Sequence, residues 1–152
     1  MEKKEIIEYL GLVKKTNTLI NTLNDELIHI KDMAEKITSS YEGIPTNKNI
    51  NNDTVGVSVQ KIMDLEFKIN DEIVLYLNFR KEVFNNISKL NSLEFLIIYK
   101  YYMQGKEYYK IADELEISER QVRRLKNQAI DNLTFIEWDN IALKVKNVNK
   151  YQ

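Results

Sequence analysis

The chain has 152 residues, with no cysteine, a single histidine (His29), one proline and four glycines. Lacking cysteine, it has no disulfide framework, thiol nucleophile or thiolate-bound metal, and one histidine removes most histidine-paired catalytic arrangements. Lys and Arg number 22 against 23 Asp and Glu, a net charge of −1, so the total marks no strongly basic nucleic-acid protein, although it can hide a local patch.

No stretch approaches the roughly 18 apolar residues of a membrane helix. The start, Met1-Glu2-Lys3-Lys4-Glu5, lacks the apolar core of a signal peptide. A cytoplasmic protein with no membrane partner is expected. Scarce Gly and Pro among scattered charges point to an all-α chain.

The first element is a long helix with a heptad seam. Ile6, Val13, Ile20, Leu27 and Ala34 repeat every seven residues, and Tyr9, Thr16, Leu23, Ile30 and Ile37 form the companion series. Thr16 is the one polar member and none is charged. Such a seam requires another helix against it. His29 lies off the seam beside Lys31 and Asp32, which predicts a solvated side chain and no ligand role.

Thr38-Ser39-Ser40 should close this helix. Gly43, Pro45, Gly56 and the Asn-rich run 47–52 predict a loop over about 41–57. A second long helix follows, with Ile62, Leu65, Ile69, Ile73, Tyr76, Phe79, Val83, Ile87 and Leu90 at three- and four-residue steps. Two long helices joined by one loop make either an antiparallel hairpin or a coiled coil with another subunit. Residues 1–91 form this helical, oligomerising region.

At Asn91-Ser92 the pattern shortens. Ser92 is the expected N-cap of a helix carrying Leu93, Leu96, Ile97 and Tyr101, which Gly105 ends. The segment 107–130 reads EYYKIADELEISERQVRRLKNQAI. Tyr108, Ile111, Ala112 and Leu115 share one helical face, and Ala112 is small enough to let a second helix cross closely. Ile117 plugs the turn, Ser118 caps the next helix, and Val122, Leu125, Ala129 and Leu133 face inward. Those are the parts of a helix-turn-helix.

Charge is distributed accordingly. Residues 1–88 carry −3 and residues 89–152 carry +2, while 118–130 alone hold Arg120, Arg123, Arg124 and Lys126 against Glu119. Arg fits the guanine edge, and Asn or Gln the adenine edge. Arg120, Gln121, Arg124 and Asn127 are therefore candidate base-reading residues, with Lys106, Lys110, Arg123 and Lys126 as phosphate contacts.

Residues 93–133 resemble region 4 of sigma factors, through IADELEIS (111–118) followed by a V-x-x-L helix (122–125). More widely, ITSS (37–40), KIMDLEFKIN (61–70) and YYMQGKEYYKIADEL (101–115) resemble phage-encoded late-transcription regulators of the ArpU and RinA type. The resemblance implies a sequence-specific DNA-binding regulator of phage or prophage late genes, with residues 92–133 as its DNA-binding domain and 134–152 as a tail. Double-stranded DNA is the implied partner, the seam implies a homo-oligomer, and RNA polymerase is a further candidate. Glu116 departs from the motif, because a glycine often stands in that turn.

Two rival functions share these features. A phage small terminase subunit also joins a helix-turn-helix to coiled-coil helices, and a coiled-coil adaptor would use Tyr99, Tyr101, Tyr102 and the 135–138 aromatics against protein alone. An enzyme is not expected. Asp64, Glu66, Asp71 and Glu72 lie on a helix with no base, nucleophile, metal or cofactor placed beside them.

Overall fold

The computed structural model describes residues 1–42 and 52–138. Among them the chain is all-helical. Helix α1 runs Lys3–Glu42, α2 Asn52–Ile87, α3 Ser92–Ile98, α4 Tyr108–Leu115 and α5 Glu119–Leu133, and a π-helical turn, Tyr99–Met103, continues α3. The long helices α1 and α2 pack together within the chain, as the heptad seam requires. Every seam residue of α1 from Ile6 to Ile37 is buried or half-buried, and His29 is exposed.

Both long helices run further into 41–57 than expected; residues 43–51 lie outside the described residues. The hydroxyls at the end of α1 do not break it. Thr38 Oγ1 donates to Ala34 O at 2.9 Å and Ser39 Oγ to Glu35 O at 2.8 Å, satisfying each side chain inside the helix. Thr16 behaves alike on the buried face, its hydroxyl 2.7 Å from Val13 O. In α2 the predicted inward series holds from Ile62 to Ile87 except at Leu65, which is 42% exposed, and Leu90 lies beyond the end of the helix.

The chain forms two compact units. Residues 19–74 make one, and residues 1–18 with 75–152 the other. The first is a pair of helical arms in which Ile30 and Ile69 are buried, while Ile28, Met33, Met63 and Phe67 remain exposed. Two helices alone can bury only one stripe each.

The second unit is thicker. Ile6, Tyr9, Leu10 and Val13 of α1 and Tyr76, Phe79, Val83 and Ile87 of α2 are buried with the interior of the short helices. Tyr9 meets Phe79 edge-on at 4.9 Å and Trp138 edge-on at 4.9 Å. Trp138 also donates Nε1–H to Leu133 O at 3.1 Å, so the start of the tail folds back onto α5. Arg80 donates to Asn17 Oδ1, and Asn17 Nδ2 donates to Met103 O at 2.8 Å. A carbonyl near the end of the π turn is thereby joined to both long helices.

The cap of α3 sits one residue earlier than predicted. Asn91, not Ser92, is the N-cap, and its Oδ1 accepts the Glu94 N–H at 2.9 Å. A second difference accompanies that shift. Leu93 and Leu96 are 38% and 36% exposed, whereas Glu94, Ile97 and Ile98 face inward. The inward acid has a partner, because Asn132 Nδ2 reaches its two carboxylate oxygens at 2.9 and 3.1 Å.

Candidate nucleic-acid interface

The helix-turn-helix is built on a small apolar cluster. Ile97, Ile111, Ala112, Val122 and Leu125 are buried together, with Tyr101, Tyr108, Leu115 and Ile117 packed around them. Ala112 keeps the contact surface low enough for α4 and α5 to cross closely. The helical run of α3 and the π turn stops just before Gly105, as predicted; Gly105 has φ +66°, where the absent Cβ removes the penalty of the left-handed region.

Glu116 occupies the left-handed region too, at φ 56° and ψ 41°. Its N–H donates to Asp113 O at 3.3 Å, and Ile117 N–H donates to Ala112 O at 3.0 Å. This is the paired hydrogen-bond pattern that ends a helix through one left-handed residue. Glu116 replaces the usual glycine at a cost of roughly 1 kcal/mol, and Ile117 turns inward to anchor the loop. Ser118 then caps α5, its Oγ accepting the Gln121 N–H at 3.2 Å.

With Val122, Leu125, Ala129 and Leu133 inward, α5 presents the opposite side to solvent. Arg120, Gln121, Arg124, Asn127 and Gln128 are all exposed there. No described ion pair involves Arg120 or Arg124, so both guanidiniums are available to a ligand.

The other four predicted residues are arranged differently. Arg123 lies 3.7 Å from Glu119 and stacks its guanidinium 4.5 Å from the Tyr108 ring centre. Lys126 is half-buried; it donates to the Tyr108 hydroxyl and sits 4.6 Å from the Tyr101 ring centre. Lys110 is exposed, its ammonium 6.0 Å from the Tyr109 ring centre. Lys106 is engaged by Glu114 at 2.6 Å, and Lys100 reaches the same carboxylate at 2.5 Å. Hydrogen bonds from Lys100 and Lys106 pull the Glu114 carboxyl down to about 2.

The tyrosines beside α5 were visible in the sequence only as a cluster. Tyr101 and Tyr108 stack at 4.9 Å and 16°. Burial, and after it the neighbouring Tyr108 hydroxyl, raise the Tyr101 hydroxyl above its ordinary value. Burial pushes Tyr102 up to about 12. Both are neutral phenols across the physiological range. Their spacing in sequence carries no sign of this stack, because the π turn adds a residue to the helical turn and re-aims the side chains.

Among the described residues no group of acidic, histidine or cysteine side chains could hold a metal ion, and no helix is long and apolar enough to cross a membrane. No curated protein and no solved structure matches the chain. Residues 87–134, which take in α3, the π turn, α4 and α5, match the family model described as sigma-70, region 4, so the helix-turn-helix of this part of the chain is similar to that region.

Proposed function

We propose that the protein is a sequence-specific DNA-binding regulator of transcription that inserts α5 into the major groove. One observation carries this reading: within the segment matched by sigma-70 region 4, the capped helix α5 exposes Arg120, Gln121, Arg124 and Asn127 together on the side opposite its apolar anchors. Those side chains read base edges, each good bidentate pair contributing about 1–3 kcal/mol of discrimination. Arg123, Lys110 and Lys126 meet phosphates; Lys106, already engaged by Glu114, contributes least.

The protein acts in the cytoplasm without catalysis, on phage or prophage late genes, as the resemblance to ArpU- and RinA-type regulators implies. RNA polymerase is the protein partner that the sigma-type match brings into view. A single recognition helix covers a short site, so two or more copies of the chain bind repeated half-sites. The exposed Ile28, Met33, Met63 and Phe67 of the 19–74 unit support self-association.

Selection of bound sequences from a random DNA pool, followed by titration of the Arg120→Ala/Arg124→Ala double variant, tests the proposal. The expected result is a repeated half-site whose preference the double variant loses while helicity is retained. A double variant that binds the selected duplex as tightly as wild type refutes the assignment of α5, and a single half-site refutes the need for two copies. If the wild type shows no salt-dependent DNA binding, the helix-turn-helix serves a protein contact instead.

A further inference from the structure

Flanking α5, three cations converge on the two stacked tyrosines. The Lys126 ammonium is 4.6 Å from the Tyr101 ring centre and 5.0 Å from that of Tyr108. The Arg123 guanidinium lies 4.5 Å from the Tyr108 centre. The third cation comes from a distant part of the sequence: Lys14 of α1, with its ammonium 4.6 Å from the Tyr101 centre. Twice that distance is the most that can separate the two ammoniums. All five residues belong to the same compact unit.

Ring faces attract each cation, but a neutral phenol cannot cancel the repulsion among them. The two cations acting on Tyr101 are Lys126 and Lys14. Among the described residues, neither Lys14 nor Lys126 has a carboxylate within ion-pair distance, and Glu119 stands 3.7 Å from Arg123. Uncompensated positive charge beside neutral donor hydroxyls is the electrostatic form of an anion site. Lys14 is exposed, so its ammonium keeps N–H groups free for an incoming oxyanion while the ring holds its position.

We infer that Lys14 of α1, gathered with Lys126 and Arg123 around the Tyr101–Tyr108 stack, forms a backbone-phosphate site that extends the DNA interface beyond the helix-turn-helix. This inference rests on the DNA-binding reading and adds a contact from outside residues 87–134. An ammonium held over a ring meets a phosphate with little further ordering. The contact is blind to base sequence and acts as an electrostatic clamp.

The test is the salt dependence of binding to a mixed-sequence duplex and to the selected duplex, for wild type, Lys14→Gln and Lys14→Arg, by fluorescence anisotropy. Each phosphate contact contributes about 0.9 to the slope of log affinity against log salt. Raising salt from about 50 to about 200 mM should therefore cost wild type about 3.5-fold more affinity than Lys14→Gln. Lys14→Arg should restore the wild-type slope, and the ratio of selected to mixed-sequence affinity should be the same in all three. A Lys14→Gln slope equal to wild type, or a Lys14→Arg slope that stays low, overturns the phosphate site and leaves Lys14 as a lid on Tyr101. That result leaves the DNA-binding reading intact, whereas a wild type that binds neither duplex overturns both.

Discussion

Replacing Asn132 by Ala tests how α5 is fixed to α3. Glu94 is 2% exposed, and Asn132 Nδ2 reaches its carboxylate oxygens at 2.9 and 3.1 Å. A hydrogen bond to a charged group contributes about 1.5–3 kcal/mol, and losing it leaves a buried acceptor without its partner. Asn132 itself is exposed, so water can partly take its place, and about 2 kcal/mol is expected. At roughly 2–4 °C per kcal/mol for a chain of this size, the melting temperature should fall by about 4–8 °C. Glu94→Leu should cost less. It removes the buried charge together with the need for a partner, and loses chiefly the favourable position of an acid in the first turn of α3, about 0.3–1 kcal/mol. Urea denaturation followed by Trp138, the only tryptophan, reads both variants through the ring packed on Tyr9. Asn132→Ala with wild-type stability, or Glu94→Leu as the more damaging change, refutes the reasoning.

Two further outcomes follow from the turn and from the ion bridge beside it. At Glu116 the left-handed backbone favours Gly and strongly disfavours a β-branched residue; Glu116→Gly should match or exceed wild type in thermal stability, and Glu116→Val should lose about 1–2 kcal/mol. Equal melting of the Gly and Val variants would mean the turn does not hold that conformation in solution. Glu114, with its folded value depressed to about 2 from an ordinary 4.5, contributes stability that is present above the ordinary value and disappears as pH falls through the folded one. Carboxyl NMR should show it ionised at about pH 3–4, a range between those two values, and wild type and Glu114→Gln should converge in stability as pH falls through about 2. A titration midpoint near 4.5 contradicts the bridge to Lys100 and Lys106.

The parts legible in the sequence were those governed by local periodicity and capping. The seam of α1, the inward Val122, Leu125, Ala129 and Leu133, the cap at Ser118 and the plug at Ile117 each depend on residues within two turns. Glu94 was not legible, because an acid flanked by apolar neighbours looks like a surface position until Asn132, 38 residues away, supplies its partner. The one-residue shift of the cap from Ser92 to Asn91 has a similar cause: both can accept the orphan N–H, and only the packing of Ile97 and Ile98 selects which does. Among the cationic residues, sequence order could not separate Arg120 and Arg124, open to solvent, from Lys106 and Lys126, held by Glu114 and Tyr108. That distinction arises from side chains brought together by the turn and the π segment.

These long-range contacts change what kind of object the helix-turn-helix is. The compact unit containing it also includes residues 1–18 and α2 from Leu75 onward. Asn17 and Arg80 converge on Met103 O, Tyr9 lies between Phe79 and Trp138, and Lys14 covers Tyr101. Each contact constrains a different part of the segment: the end of the π turn, the tail beyond α5, and the flank of α4. Under the proposed reading, a helix-turn-helix held at several points loses little conformational freedom on meeting DNA, so more of its contact energy becomes affinity. For a chain whose charge sums to −1, that economy matters, because weak net electrostatics leave little non-specific attraction to compensate for a loosely held reader.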